Sequence, residues 1–223
     1  MDTTASAPTA TKPRLRGWLH LGAFPAAIIA GLILVATGPT LAARLTTAIY
    51  VATSAALFGV SALYHRTTLT PLATARLKRL DHANIYLIIA GTYTPVAALA
   101  LDGTARVGLL AVVWTGAVAG VCFRTLWLGA PRWLYTALYI ILGWVAVFVL
   151  PQLVAGAGIA ATVLIFAGGV LYTAGGVVYA LKRPDPNPRW FGFHEVFHSF
   201  TLAAYVTQFA AVALVVGSSG AAS

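Results

Sequence analysis

The sequence predicts an all-α polytopic membrane protein: a seven-transmembrane helix bundle with its N-terminus in the cytoplasm and its C-terminus outside. Three observations carry this. Of 223 residues, 60% are apolar and only 9% charged, a balance no soluble domain of this length shows. The apolar residues fall into runs of about the 20 residues needed to cross a hydrocarbon core. The basic residues sit in short clusters between the runs, and alternate clusters differ sharply in size.

Residues 1–17 are rich in Thr, Ala and Pro and turn basic at Lys12, Arg14 and Arg16. They predict a disordered tail ending at the membrane surface. The membrane domain is expected over 18–217, with a short tail at 218–223. The first apolar run, His20 to Thr37, is longer than the roughly 7–15-residue core of a signal peptide. It is therefore expected to be a retained helix, although Thr40-Leu41-Ala42-Ala43 offers the small residues of a weak cleavage site. Further runs follow at about 42–64, 82–101, 106–127, 133–151, 157–181 and 194–216. Pro95 is expected to bend the third helix. Gly116 and Gly120 in the fourth, and Gly168, Gly169, Gly175 and Gly176 in the sixth, are expected to let helices approach closely.

Topology follows from the connections. Lys12, Arg14, Arg16, Arg66, Arg76, Lys78, Arg79, Arg124, Arg132, Lys182, Arg183 and Arg189 fall on one side, and only Arg44 and Arg106 on the other. The positive-inside rule puts the larger set in the cytoplasm. Membrane orientation thus accounts for the net charge of +9, and no nucleic-acid partner is expected. Cys122 is the single cysteine, which excludes an intrachain disulfide and a cysteine-based metal cluster.

The rare polar residues gather at one level. Ser61 and His65 lie four apart at the cytoplasmic end of the second helix, Asp81 and His82 open the third, and His194 and His198 open the seventh. Residues four apart share a helix face, and Thr201, Tyr205 and Gln208 continue the face begun by His194 and His198. Ionisable groups inside a membrane segment mark a functional site by default. Zinc suits this set, because a catalytic zinc commonly takes three protein ligands and leaves the fourth position to water. His65, His194 and His198 are the expected ligands. Asp81 is placed as base or water partner, and Ser61 as donor to a developing oxyanion. His20 and His82 are read as interfacial, and Glu195 as an acid at a helix start.

A competing reading exists. His194-Glu195-Val-Phe-His198 matches the H-E-x-x-H pattern of zinc proteases, with Glu195 as base and Asp102 as third ligand. The charge count opposes it, since it puts Asp102 across the bilayer from the histidines.

Ser61-Ala-Leu-Tyr-His65, Leu80-Asp81-His82-Ala-Asn-Ile85 through Gly91-Thr-Tyr-Thr-Pro95, and His194-Glu-Val-Phe-His198 resemble the three signature stretches of the bacterial hemolysin III family. That family is related to the progestin and adiponectin receptors (PAQR) and, more distantly, to alkaline ceramidases. The resemblance spans all seven predicted helices. It implies a seven-helix bundle with a cytoplasmic N-terminus in the cell membrane, and zinc held by His65, His194 and His198 with Asp81 approaching through water. Ser61 matches the serine of the wider superfamily.

The family name records cytolysis by some members, but no pore-forming feature stands out here; a resident role in lipid homeostasis fits better. The resemblance implies a zinc-dependent hydrolase of lipid amides or esters, ceramidase-like, with membrane lipids as partners. Asp81 would take the water's proton. The alternative is a non-catalytic sensor or receptor in which zinc clamps the helices. A transporter is disfavoured, because the ionisable residues do not continue across the bilayer. The sequence leaves the oligomeric state open.

Overall fold

The computed structural model describes residues 12–127 and 129–220. Among these the chain is helical: α1 (Trp18–Thr37), α2 (Leu41–Arg66), α3 (Pro71–Ala100), α4 (Gly103–Leu126), α5 (Arg132–Gly143), α6 (Leu150–Leu181) and α7 (Phe193–Ser218). A 3-10 turn over Val145–Val149 joins α5 to α6. No β-strand forms among the described residues beyond an isolated bridge between Asn187 and Phe191. Six stretches are long and apolar enough to cross a membrane, and Arg132–Leu181 counts as one of them. This is a multi-pass membrane protein.

The expected helix positions hold, with three differences. First, α3 begins at Pro71, about three turns before its apolar run. Thr70 caps it, its hydroxyl accepting from the Ala73 N–H at 3.3 Å, and proline is favoured in a first turn. Asp81 and His82 therefore lie well inside α3 rather than opening it. Second, the fifth helix, expected over 133–151, ends at Gly143, and α6 begins at Leu150 rather than about 157; Pro95, expected to bend the third helix, lies inside α3. Third, the expected tail over 1–17 lies outside the described residues at 1–11, but Arg14 and Leu15 donate backbone N–H bonds, both 3.1 Å, to the carbonyls of Arg189 and Trp190. Residues 12–17 are thus tied to the segment before α7, because their backbone groups find partners there.

Gly158 breaks α6 with φ 80° and ψ 163°, a conformation open to glycine and strained for other residues. The chain turns back on itself around this break. Tyr135 of α5 meets Tyr179 of α6, hydroxyl to hydroxyl, at 3.3 Å, and Trp144 donates its indole N–H to the Thr173 hydroxyl at 3.0 Å. The two partners close in from both directions, as in an antiparallel helix hairpin.

The central element is α3, which packs on α2, α4, α5, α6 and α7, and 67% of its most apolar window is buried against 22% for α1 and α4. Side-chain hydrogen bonds lock it to its neighbours, as expected where no water competes. Asn84 donates to the Ala56 carbonyl of α2 at 2.8 Å, and Trp114 of α4 donates to Thr94 at 3.1 Å. The glycines serve close packing. Gly116 faces Leu142 and Gly120 faces the ring of Tyr86, while in α6 Gly168 and Gly175 face α7, Gly176 faces α5 and Gly169 faces Trp144 just beyond it.

The tightest approach gives a stability test. A Cβ at Gly156 would lie 1.7 Å from the Ala100 carbonyl oxygen, whereas one at Gly22 would meet nothing within 4 Å. Gly156→Ala should cost roughly 1–3 kcal/mol by overpacking. Thermal unfolding in detergent should show that loss, with Gly22→Ala neutral or slightly stabilising.

Candidate functional site

The site forms where α7 begins. Its first N–H groups lack intrahelical partners, and two carboxylates serve this end. Glu195 Oε2 accepts from the Gly192 N–H at 2.8 Å and Asp185 Oδ1 accepts from the Phe193 N–H at 2.8 Å. The other oxygen of Glu195, Oε1, pairs with Arg16. This start holds His194 and His198 one turn apart, facing the last turn of α2, which carries His65.

The three histidines converge. One nitrogen from each of His65, His194 and His198 lies within 4.8 Å of the other two, and His65 Nε2 is 3.1 Å from His194 Nε2. Ligands about 2.0–2.1 Å from a tetrahedral zinc stand roughly 3.3 Å apart, so one pair already has that spacing and the third needs only a small side-chain movement. All are imidazoles, a donor type suited to zinc. Asp81 Oδ2 lies 3.9 Å from His65 Nε2 and 4.0 Å from His82 Nδ1, close enough to reach the cluster across one intervening small molecule. Ser61, one turn before His65, is 1% exposed.

Two histidines read as interfacial have other positions. His20 is 3% exposed. It stacks on His198 with ring centroids 3.8 Å apart, and its Nδ1 is 2.8 Å from the Ser61 hydroxyl. The sequence carries a signal for this: His20, Ala23, Ala27 and Gly31 are the buried residues of α1, and small residues at that spacing mark a packed face. His82 bonds the Tyr179 hydroxyl through Nε2 at 3.2 Å and lines the cavity below the histidines. One nitrogen of His20 and both of His82 find partners inside the bundle, whereas His20 Nε2 is buried without one.

Lys12 and Arg16 were also missed as site residues. Lys12 donates to the His65 carbonyl, and burial, followed by the neighbouring Arg16 and Arg66 cations, pulls its pKa below the ordinary lysine value. The segment 12–17 therefore bridges the end of α2 and the start of α7.

The protease pattern is not assembled. Both oxygens of Glu195 are engaged, and Asp102 sits at the opposite end of the bundle, its side chain 97% exposed and paired with Arg106 at 2.6 Å.

Below the histidines a cavity with about 130 Å³ of room for water-sized spheres runs between α3, α5, α6 and α7. Asp81, His82, His194 and His198 line one end, and Val96, Ile165 and Gln208 the other. From Asp81 to Val96 along α3 it extends roughly 22 Å at 1.5 Å per residue. The expected polar face of α7 does turn inward: Thr201 and Gln208 line the cavity, and Gln208 donates to the Ile165 carbonyl at 2.9 Å.

Comparison with known proteins shows which family the chain is similar to. The profile of the family described as "Haemolysin-III related" matches residues 9–209. The "Hemolysin-3 homolog" of Bacillus subtilis (strain 168) is 34% identical over 160 residues, covering 69% of this chain and 72% of the relative. "Hemolysin-3" of Bacillus cereus is 34% identical over 133 residues, or 58% of this chain and 57% of the relative, little more than half its length.

The Glu195 contacts carry a prediction. Glu195→Ala removes a cap and leaves Arg16, 18% exposed, without its counter-ion. The loss should be about 3 kcal/mol, read as a lower melting temperature in detergent. Arg16→Met/Glu195→Gln together should recover part of it.

Proposed function

Taking as premise that the chain belongs to the haemolysin-III related family, we propose that it is a zinc-dependent hydrolase of lipid amide or ester bonds. The observation that carries the reading is the triad of imidazole nitrogens, beside Asp81, at the polar end of a long and otherwise apolar cavity. His65, His194 and His198 would hold the metal. When bound, zinc supplies Lewis-acid polarisation of a carbonyl and lowers the pKa of a water.

The chain's own residues supply the rest. The apolar walls from Ile85 to Val96 exclude water and align an acyl chain, so that its carbonyl sits level with the histidines. Asp81 takes the proton of the attacking water as general base and returns it to the leaving amine or alcohol as the C–N or C–O bond breaks. Ser61 donates to the oxyanion. In the tautomer in which His20 Nδ1–H donates to the Ser61 oxygen, the hydroxyl proton is held by Asp81 and would turn from it to the oxyanion as that charge forms.

We further propose seven crossings, with the Gly158 break dividing the Arg132–Leu181 stretch into two spans and the histidine end cytoplasmic. The antiparallel pairing of α5 with the second part of α6 supports the count. Lys12, Arg14, Arg16, Arg66 and Arg132, which contact residues of the histidine end, support the orientation.

A second reading, zinc as a structural clamp in a lipid sensor, is favoured by one observation. The ligands come from α2 and α7, which are not major packing partners, since α2 lies mainly on α1 and α3, and α7 mainly on α6.

Metal analysis and a hydrolysis assay separate the readings. Purified without chelators, the wild type should carry about one zinc per chain, and His65→Ala and His194→Ala/His198→Ala should lose it. Asp81→Ala should keep most of the metal while ceramide and lipid-ester hydrolysis falls by about 100-fold or more. Full hydrolysis by Asp81→Ala would remove its role as base, and zinc without turnover of any such lipid would favour the clamp.

A further inference from the structure

Arg124, in the last turn of α4, has only 2% of its surface exposed. Its Nε and Nη1 are buried without a hydrogen-bond partner. Its guanidinium lies over the ring of Tyr135, 4.3 Å from the centroid. A ring face attracts the cation's charge, but it offers nothing in the guanidinium plane, where the N–H groups point. One turn earlier on the same face of α4, Gly120 packs against Tyr86, whose hydroxyl is also buried without a partner. Tyr86, Tyr135 and Tyr139 are contiguous, with Tyr139 centred 4.6 Å from Tyr86 and 6.0 Å from Tyr135. Unused donors from α3 and α4 therefore lie close together among the aromatic rings of α3 and α5.

No acid among the described residues is available to meet the guanidinium. Asp81 faces His65 and His82, Glu195 holds Arg16 and Asp102 holds Arg106. Asp185 caps α7, which leaves no free carboxylate among the described residues. A buried guanidinium without a counter-ion is costly to maintain, and none of the described residues supplies one, which makes a bound anion the natural partner. A guanidinium with open Nε–H and Nη1–H groups suits an oxyanion, which accepts charge-assisted hydrogen bonds from either edge of the plane. Arg124 stands two residues before the end of α4, the end where Lys78 and Arg132 join it around His82, so the local potential favours an anion.

We propose that Arg124, with Tyr86, forms a phosphate-binding site between α3, α4 and α5, filled by the phosphodiester of an anionic phospholipid. The site lies behind the wall of His82 and Tyr139, outside the cavity that the proposed hydrolase reaction uses. The lipid is a bound component there, and no bond is made or broken.

The test uses the full chain in neutral maltoside micelles, titrated with phosphatidylglycerol or with inorganic phosphate and followed by native mass spectrometry and thermal unfolding. Wild type should retain phosphatidylglycerol and melt at a higher temperature with it. Arg124→Met should bind it about 10-fold or more weakly and show no shift. Arg76→Met, which removes an exposed charge from the same end of α3, should behave as wild type. Arg124→Lys keeps the charge without the planar guanidinium and should bind with intermediate affinity, so it carries the comparison if Arg124→Met is not recovered folded. An Arg124-dependent shift produced by inorganic phosphate alone would keep the site and assign it a soluble source. Equal phosphatidylglycerol binding by wild type and both Arg124 variants, or no response of the wild type to either probe, would overturn the proposal.

Discussion

The histidine end depends on the two bonds made by Glu195. One carboxylate oxygen satisfies the Gly192 N–H that the start of α7 leaves unpaired, and the other holds Arg16. The first bond sets where α7 begins, and so sets the height at which His194 and His198 face His65. The second secures the segment that leads into α1, on which His20 stacks against His198. In water such contacts would each be worth little. In a water-poor interior a single carboxylate serving a helix cap and a cation at once is favourable, because neither partner has a solvent alternative.

The cavity follows from the position of α3. Helix ends exposed to lipid must be capped or hydrogen-bonded within the protein, and a central helix has the most neighbours with which to do so. Buried on most of its length, α3 can carry Asp81 and His82 three turns inside itself and still leave Ile85, Ile88 and Val96 to wall an apolar channel. Polar groups sit where α2, α3 and α7 bring partners together, and apolar ones where they do not. The same separation gives the proposed substrate its orientation, with its reactive carbonyl among the imidazoles and its chain along α3.

Much of this was legible in the sequence. The apolar runs located the helices, and the i, i+4 pairs Ser61/His65 and His194/His198 picked out the side chains that do converge, with Asp81 beside them. What escaped depends on partners distant in the chain. His20 resembles an interfacial histidine until its alignment with Ala23, Ala27 and Gly31 shows it on the packed face. Lys12 and Arg16 resemble a solvated tail because their partners, the His65 carbonyl and Glu195, lie 53 and 179 residues away. The start of α3 was set too late because apolar runs report burial, whereas Thr70 and Pro71 report where the backbone turns helical.

Charge at the centre bears on what the site can do. Three imidazoles bring no charge as metal ligands, and Asp81 brings one negative charge. The Arg16 and Glu195 charges oppose each other. A dication held by the histidines would therefore leave the centre positive, in surroundings of low dielectric constant where that excess acts strongly. Such a centre favours an electron-rich group close by, and the carbonyl oxygen of an amide or ester at the head of an acyl chain is one that the cavity can deliver. A purely structural clamp is better served by a fourth protein ligand that closes the coordination sphere and neutralises the metal. His20 is near enough to be a candidate, but it lies parallel to His198 at 10° between ring planes and is turned to Ser61. It lines the cavity beside the histidines without joining the three nitrogens that converge.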